Sequence, residues 1–157
     1  MNATTRITAL ARCLAAVGVL ALAGCGGSSS PPLSPAQLSA KVNAACATYA
    51  DAVLGFPQPV SFATNPTAAA AYLAKLKPLV RREYSRISAL NAPSALKADF
   101  NTYLHDGARQ LSLFEAALAS ARANDTKYLH DLRAAAKYKD RTLATLDQKL
   151  GFTSCLS

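Results

Sequence analysis

Apolar residues recur at alternating steps of three and four along four stretches of the chain, and this periodicity constrains the fold more than any other feature. The longest stretch predicts a helix of about 30 residues, whose apolar stripe is Leu96, Phe100, Tyr103, Gly107, Leu111, Phe114, Leu118 and Ala121. Alanine and leucine dominate the composition and tryptophan is absent, which favours helices. The pattern predicts an all-α fold, an up-down-up-down four-helix bundle in which each helix is antiparallel to the next.

Residues with known preferences for helix ends mark where these stretches start and stop. Ser34 and Asn65 each precede a proline and are predicted to cap the first and second helices. Asn124-Asp125 is predicted to cap the fourth helix, which Gly151 ends in a Schellman motif. Pro78 lies within the second stretch, so we expect a kink there unless the helix restarts beside it.

A different pattern precedes the first helix. Arg6 and Arg12 are followed by an apolar run over residues 13–23, which is the order of parts in an export signal. The run ends in Leu22-Ala23-Gly24-Cys25, which resembles the lipobox of bacterial lipoproteins. The resemblance implies cleavage before Cys25 and attachment of a diacylglycerol to its thiol. It also implies a protein anchored by lipid at the extracytoplasmic face of the cell membrane.

This interpretation divides the chain into a signal peptide over residues 1–24, a lipidated flexible tether over 25–33 and a four-helix bundle domain over 34–157. A membrane-spanning helix is the alternative, but a span needs about 20 apolar residues and the uninterrupted run is roughly half as long. The tether is rich in glycine, serine and proline. Because a chain extends at most about 3.6 Å per residue, the domain stays near the membrane.

Four cysteines are present, and the lipoprotein interpretation assigns two of them. Cys13 leaves with the signal peptide and Cys25 carries the lipid, so Cys46 and Cys155 remain and permit a single pairing. Outside the cytoplasm a disulfide between them is favoured, and it would tie the C-terminal tail to the first helix. The tail must then fold back along that helix, or the start of the helix must overhang the end of the fourth. The alternative is that both cysteines are buried free thiols. A metal site at these cysteines is not expected, because no histidine or third cysteine lies at ligand spacing from either one.

The tetrapeptide Tyr-Leu-His-Asp occurs twice and contains both histidines, His105 and His130. In a hairpin of the third and fourth helices, a rise of about 1.5 Å per residue separates them by roughly 20 Å, which is too far for one metal ion. Both lie away from the apolar stripes on a helical wheel. We therefore expect two exposed histidines and no metal site.

Basic residues outnumber acidic ones, and one set of them is aligned. Of 17 basic residues, two leave with the predicted signal peptide, so 15 remain against 9 acidic ones, a net charge of +6. Arg133, Lys137 and Arg141 form a ridge on the outer face of the predicted fourth helix. The ridge is either a solvated face or a surface attracted to anionic lipid headgroups or cell-wall polymers. Nucleic acid is not expected as a partner outside the membrane.

Two charged residues fall inside the apolar stripes, Glu83 on the second helix and Lys139 on the fourth. We expect their side chains to extend along the helix edges with the charged ends in water. Alternatively, they pair across the bundle, which would fix its register more than its stability.

The sequence predicts a protein that is not an enzyme and carries no cofactor. It lacks a Gly-rich phosphate loop, the Glu-x-x-His pair of di-iron bundles and a haem attachment motif. The expected role is a non-catalytic binding, scaffold or interaction module that is held at the membrane by its lipid anchor. Anionic lipid, a cell-wall polymer or another envelope protein are its alternative partners. The alternative is a carrier or sensor that binds a small apolar ligand in its core. A lined pocket between the helices would favour the ligand, and a filled core with an exposed apolar patch would favour the protein partner.

Two short segments accompany the lipobox: Asn43-Ala44-Ala45-Cys46 near the start of the domain and Leu150-Gly151-Phe152-Thr153-Ser154-Cys155 near its end. With these segments, residues 34–155 resemble the small, Ala/Leu-rich, uncharacterised lipoproteins of actinobacteria that have two cysteines in the mature chain. The resemblance implies the membrane location and brings no activity with it.

Overall fold

The structure is a computed structural model that describes residues 31–138 and 143–155, and within these ranges it contains helices and turns but no strand. The α-helices are α1 Pro35–Leu54, α2 Pro66–Ser88, α3 Lys97–Arg122, α4 Lys127–Tyr138 and α5 Ala144–Leu150. Short 3-10 helices lie at Val60–Ala63, Ser94–Leu96 and Thr153–Cys155. The all-α prediction is confirmed. Within the segment predicted as one fourth helix, the structure describes two helices, α4 and α5, which lie before and after residues 139–142.

The N-terminal ends of α1 and α2 are capped as predicted. The Ser34 hydroxyl accepts a hydrogen bond from the Gln37 backbone N–H at 3.2 Å, and the Gln37 side chain accepts one from the Ser34 N–H at 2.9 Å. This reciprocal pair is a capping box. The Asn65 side chain accepts from the Ala68 N–H at 3.1 Å. Helix α2 continues through Pro78 without restarting.

Gly151 ends α5 in the predicted Schellman motif. Its φ of 74° lies in the left-handed region, which glycine adopts without steric penalty. The Gly151 N–H donates to the Gln148 carbonyl at 3.3 Å, and the Phe152 N–H donates to the Asp147 carbonyl at 2.7 Å. The turn directs Phe152 into the core, where it is fully buried.

Asn124 ends α3 rather than beginning the next helix. It has a left-handed φ of 57°, and the Asp125 N–H donates back to the Ser120 carbonyl at 3.0 Å. Asparagine suits either end of a helix, so its position in the sequence does not distinguish the two roles. The Asp125 side chain does support the start of α4, because it accepts from the Lys127 N–H at 2.9 Å.

The buried apolar side chains form two clusters, one toward each end of the domain. The first cluster joins the N-terminal half of α1, the end of α2, the start of α3 and the end of α5: Leu38, Val42, Ala45, Cys46, Ile87, Ala92, Phe100, Leu150 and Phe152. The second cluster joins the start of α2, the end of α3 and the start of α4: Ala69, Leu73, Ala117, Leu118, Ala121 and Tyr128. In both clusters, residues near the N-terminal end of one helix pack with residues near the C-terminal end of the next helix in the chain. This is the arrangement expected for helices in the predicted antiparallel order.

The C-terminal tail lies along α1. Cys46 and Cys155 form the predicted disulfide, with their Cα atoms 5.2 Å apart. The Asn43 side chain donates to the Gly151 carbonyl at 3.1 Å and accepts from the Ser154 N–H at 2.9 Å. Of the two arrangements that the disulfide permits, the structure therefore has the one in which the tail folds back along the first helix.

Candidate functional site

A cavity of about 480 Å³ lies among the helices, in the stretch between the two clusters. Ligand pockets in proteins commonly measure roughly 300–1,000 Å³. The cavity reaches the surface beside Leu54, which lines it and is 82% exposed. Much of the lining is apolar and comes from α1, α2 and α3: Val53, Leu54, Val80, Ile87, Leu111 and Phe114.

Small residues on three helices create this space. Ala50 of α1, Gly107 of α3 and Ala135 of α4 all line the cavity. A β-carbon on Gly107 would lie 3.5 Å from the Tyr84 ring, which is an ordinary van der Waals distance, so close packing does not require glycine there. Larger side chains at such positions would gain dispersion contacts that the present lining lacks. The cavity is therefore a consequence of side-chain size and not of a strained backbone.

Five titratable side chains line the cavity near the first cluster. Each is about one helical turn from a residue of that cluster: Tyr49, Glu83, Tyr84, Tyr103 and Asp147. The other part of the lining includes the apolar side chains of Val80, Leu111 and Phe114 together with Gln110. The part of the cavity that holds the five titratable side chains is called the polar end below.

Two tyrosine hydroxyls at the polar end, those of Tyr49 and Tyr103, stay protonated. Burial raises the pKa of Tyr49 to about 12, with smaller contributions from the charge on Glu83 and from Tyr72. Burial also raises the pKa of Tyr103, and the nearby charges of Asp147 and Glu83 and a hydrogen bond to Asp147 raise it further. These effects place both carboxylates within electrostatic reach of Tyr103. The polar end therefore combines carboxylate acceptors with neutral hydroxyl groups that can donate.

The disulfide is part of the cavity wall. Cys46, Cys155 and Ser154 all line the cavity on the side where the tail lies along α1. The sequence predicted the cysteine pairing but not its position beside a cavity. Only the three-dimensional arrangement of the tail against α1 brings these residues to the wall.

Both histidines point outward, as predicted. The His105 and His130 side chains are each 80% exposed, and each Nδ1 lies 3.4 Å from an oxygen of the following aspartate. Within the described residues, no group of three or more histidine, cysteine, aspartate or glutamate side chains could hold a metal ion.

The aspartates of the repeated tetrapeptide are buried, which the sequence analysis did not predict. Asp106 and Asp131 are both buried although the histidine before each is exposed. The Ser120 hydroxyl donates to Asp131 at 3.3 Å, which ties α4 to α3.

The structure describes some of the charged residues that the sequence singled out. Arg133 and Lys137 are exposed on α4, while the third residue of the ridge, Arg141, lies outside the described residues. Glu83 is half-buried and lines the cavity. Lys139, considered as its partner only in the alternative interpretation, also lies outside the described residues.

The predicted signal peptide, the lipobox and the lipidated Cys25 lie within residues 1–30, outside the described part of the chain. Among the helices that are described, none has the length and apolar character needed to cross a membrane.

Comparison of the chain with protein-family models, with curated proteins and with solved structures found no match. The geometry and chemistry of the cavity are therefore the basis for a functional proposal.

Proposed function

We propose that this protein is a lipoprotein, anchored through Cys25 at the extracytoplasmic face of the cell membrane, whose helical domain binds a small apolar ligand in the cavity. The observation that supports ligand binding is the cavity of about 480 Å³ between two separate core clusters. A bundle that serves only as a scaffold gains stability by filling such a space, because its lining then makes more contacts. A binding domain instead needs the space for its ligand.

The lipobox resemblance supports the anchor. Exposed Arg133 and Lys137 would add attraction to anionic lipid headgroups or wall polymers close to the membrane, worth about 1 kcal/mol per charge. The proposed role is that of a carrier or sensor and involves no catalysis.

Replacing Cys25 with serine tests the anchor. We expect the parent protein to fractionate with membranes, resist extraction by high salt and carry the mass of a lipid. The Cys25→Ser variant should lose that lipid mass, because no thiol is available at the lipobox. Cys13→Ser is the matched control and should remain lipidated. Recovery of lipid on the Cys25→Ser variant would contradict the proposed anchor.

Filling the cavity tests the ligand site. Ala135 is buried and lines the cavity, whereas Ala136 is exposed on the same helix. We expect Ala135→Leu to weaken binding of the neutral apolar dye phenylnaphthylamine about tenfold or more, since the added side chain occupies ligand space. Fluorescence titration measures the affinity, and thermal unfolding confirms that the variant is folded. The full chain carrying Cys25→Ser serves as the common background, so that no attached lipid competes with the dye for the cavity.

Ala136→Leu is the control and should bind the dye as the parent chain does. Equal dye binding by the two leucine variants would show that the dye does not occupy this cavity.

A second function, contact with another envelope protein, is favoured by one observation. Leu54 is 82% exposed and Val60 is fully exposed, and both lie at the connection between α1 and α2. Apolar side chains of this size at one edge are a feature of protein contact surfaces. Equal dye binding by the two leucine variants would favour this second function over the first.

A further inference from the structure

We propose that Leu54 and the connection between α1 and α2, residues 55–65, form an edge that contacts the lipid surface, so that the mouth of the cavity opens at the bilayer. We call these residues the apolar edge. The inference goes beyond the proposed anchor, which brings the domain to the membrane without fixing the face that touches it. It also gives an apolar ligand a direct route between the lipid and the cavity.

The apolar edge holds side chains that are unfavourably placed in water. Leu54 is 82% exposed and Val60 is fully exposed. Among the described residues, these two are the large apolar side chains that remain exposed. Such side chains at one edge are a feature of surfaces that contact lipid or protein.

Charged residues are absent from this part of the sequence. Residues 52–74, between Asp51 and Lys75, include no aspartate, glutamate, lysine or arginine. A charged side chain is costly to move into the apolar part of a bilayer. A segment without charges, with exposed apolar side chains, is therefore suited to the lipid interface.

The turn between α3 and α4 lies beside the apolar edge and carries basic side chains. The Tyr128 hydroxyl donates to the Phe62 carbonyl at 2.5 Å, which ties the first turn of α4 to the connection. At this turn Arg122 and Lys127 are exposed, as is one acidic residue, Asp125. Basic groups close to a membrane are attracted to its anionic headgroups. This end of the domain thus combines apolar groups that can insert with basic groups that can stay at headgroup level.

The position of the cavity mouth favours lipid over a protein partner. Leu54 belongs both to the apolar edge and to the lining of the cavity, so the mouth lies at this edge. A protein seated on the edge would cover the mouth. A lipid surface would instead leave the cavity open to apolar molecules, which partition from water into the bilayer.

The predicted tether is long enough for this orientation. The Leu33 N–H donates to the Asn91 carbonyl at 2.9 Å, so the tether leaves the domain at the α2–α3 connection, opposite the apolar edge. Helix α1 has 20 residues and is about 30 Å long. The tether over residues 25–33 extends at most about 32 Å. A domain anchored through Cys25 can therefore bring the apolar edge to the same bilayer.

Tryptophan fluorescence tests the contact, because the chain has no tryptophan of its own. Val60→Trp places one reporter on the apolar edge, and Ser88→Trp places a matched one at an exposed position where α2 ends, at the opposite end of the domain. Each variant is purified from membranes and reconstituted into vesicles of phosphatidylcholine and phosphatidylglycerol. We expect lipids with brominated acyl chains to quench most of the emission of Val60→Trp and little of that of Ser88→Trp.

The other outcomes would overturn the inference. Quenching of Ser88→Trp alone would show that the domain rests on its tether end. Equal quenching in both variants would show that tryptophan itself enters the lipid at any exposed position. Quenching in neither would leave the apolar edge to a protein partner. A failed anchor is detected separately by the missing lipid mass, and a failed ligand site by the dye titration with Ala135→Leu.

An added charge tests whether Val60 itself enters the lipid. Gln58 is exposed beside Val60, so Gln58→Trp reports on the same edge while position 60 is varied. We expect Val60→Asp to reduce the quenching of Gln58→Trp severalfold, because a carboxylate opposes insertion. Ser88→Asp is the matched control and should leave the quenching unchanged. Equal quenching in the two aspartate variants would overturn the insertion of Val60.

Discussion

Replacing Cys46 and Cys155 together with serine is expected to lower the free energy of unfolding by about 4 to 5 kcal/mol. The disulfide joins residues 109 positions apart, so it removes much of the conformational freedom of the unfolded chain. Urea denaturation of the oxidised parent and of the double variant measures the difference. We also expect weaker dye binding in the double variant, because both cysteines line the cavity.

Chemical reduction provides an independent check on this result. The parent chain treated with a thiol reductant should unfold at the same urea concentration as the double serine variant. The Cys13→Ser variant should unfold as the oxidised parent does, because Cys13 takes no part in the bond. A loss below about 1 kcal/mol in the double variant would mean that the cross-link adds little to the packing already present.

Phe152→Ala is expected to cost about 3 to 5 kcal/mol of stability. The Phe152 side chain is fully buried and packs against the rings of Phe100 and Tyr103, at centroid distances of 6.3 and 5.1 Å. Truncation removes these contacts and leaves a space in the first cluster.

The control for this variant is Val60→Ala. Val60 is fully exposed, so its truncation should change the free energy of unfolding by no more than about 0.5 kcal/mol. Denaturant unfolding of the two variants under identical conditions makes the comparison. Similar losses in both would contradict the described packing of Phe152.

The sequence contains enough information to predict the helices, most of their ends and the disulfide. Periodicity identifies the inward face of each helix, and local preferences identify caps such as Ser34 and the left-handed turn at Gly151. These features depend on residues close together in the chain. The cysteine pairing followed from elimination, because only two cysteines remain once the lipoprotein interpretation assigns the others.

The cavity could not be predicted in the same way. Tyr49, Tyr103 and Leu111 all lie on stripes that correctly predict inward faces, but periodicity does not show whether facing side chains fill the volume between them. That volume depends on the distances between helices and on small residues such as Gly107 and Ala135.

Buried carboxylates were also missed, for a different reason. Asp106, Asp131 and Asp147 are buried, although charged residues are usually exposed. Their burial depends on partners from other parts of the chain, such as the Ser120 hydroxyl for Asp131. A helical wheel contains no information about such partners.

The division of the core into two clusters has a consequence for cooperativity. The disulfide, the tail and α5 reinforce the first cluster, while the second is formed by α2, α3 and α4. Only α2 and α3 contribute buried residues to both clusters. The domain therefore has the organisation of two folding units that share a pair of helices, with unequal local stability. A ligand between them would contact both units and make their unfolding more concerted.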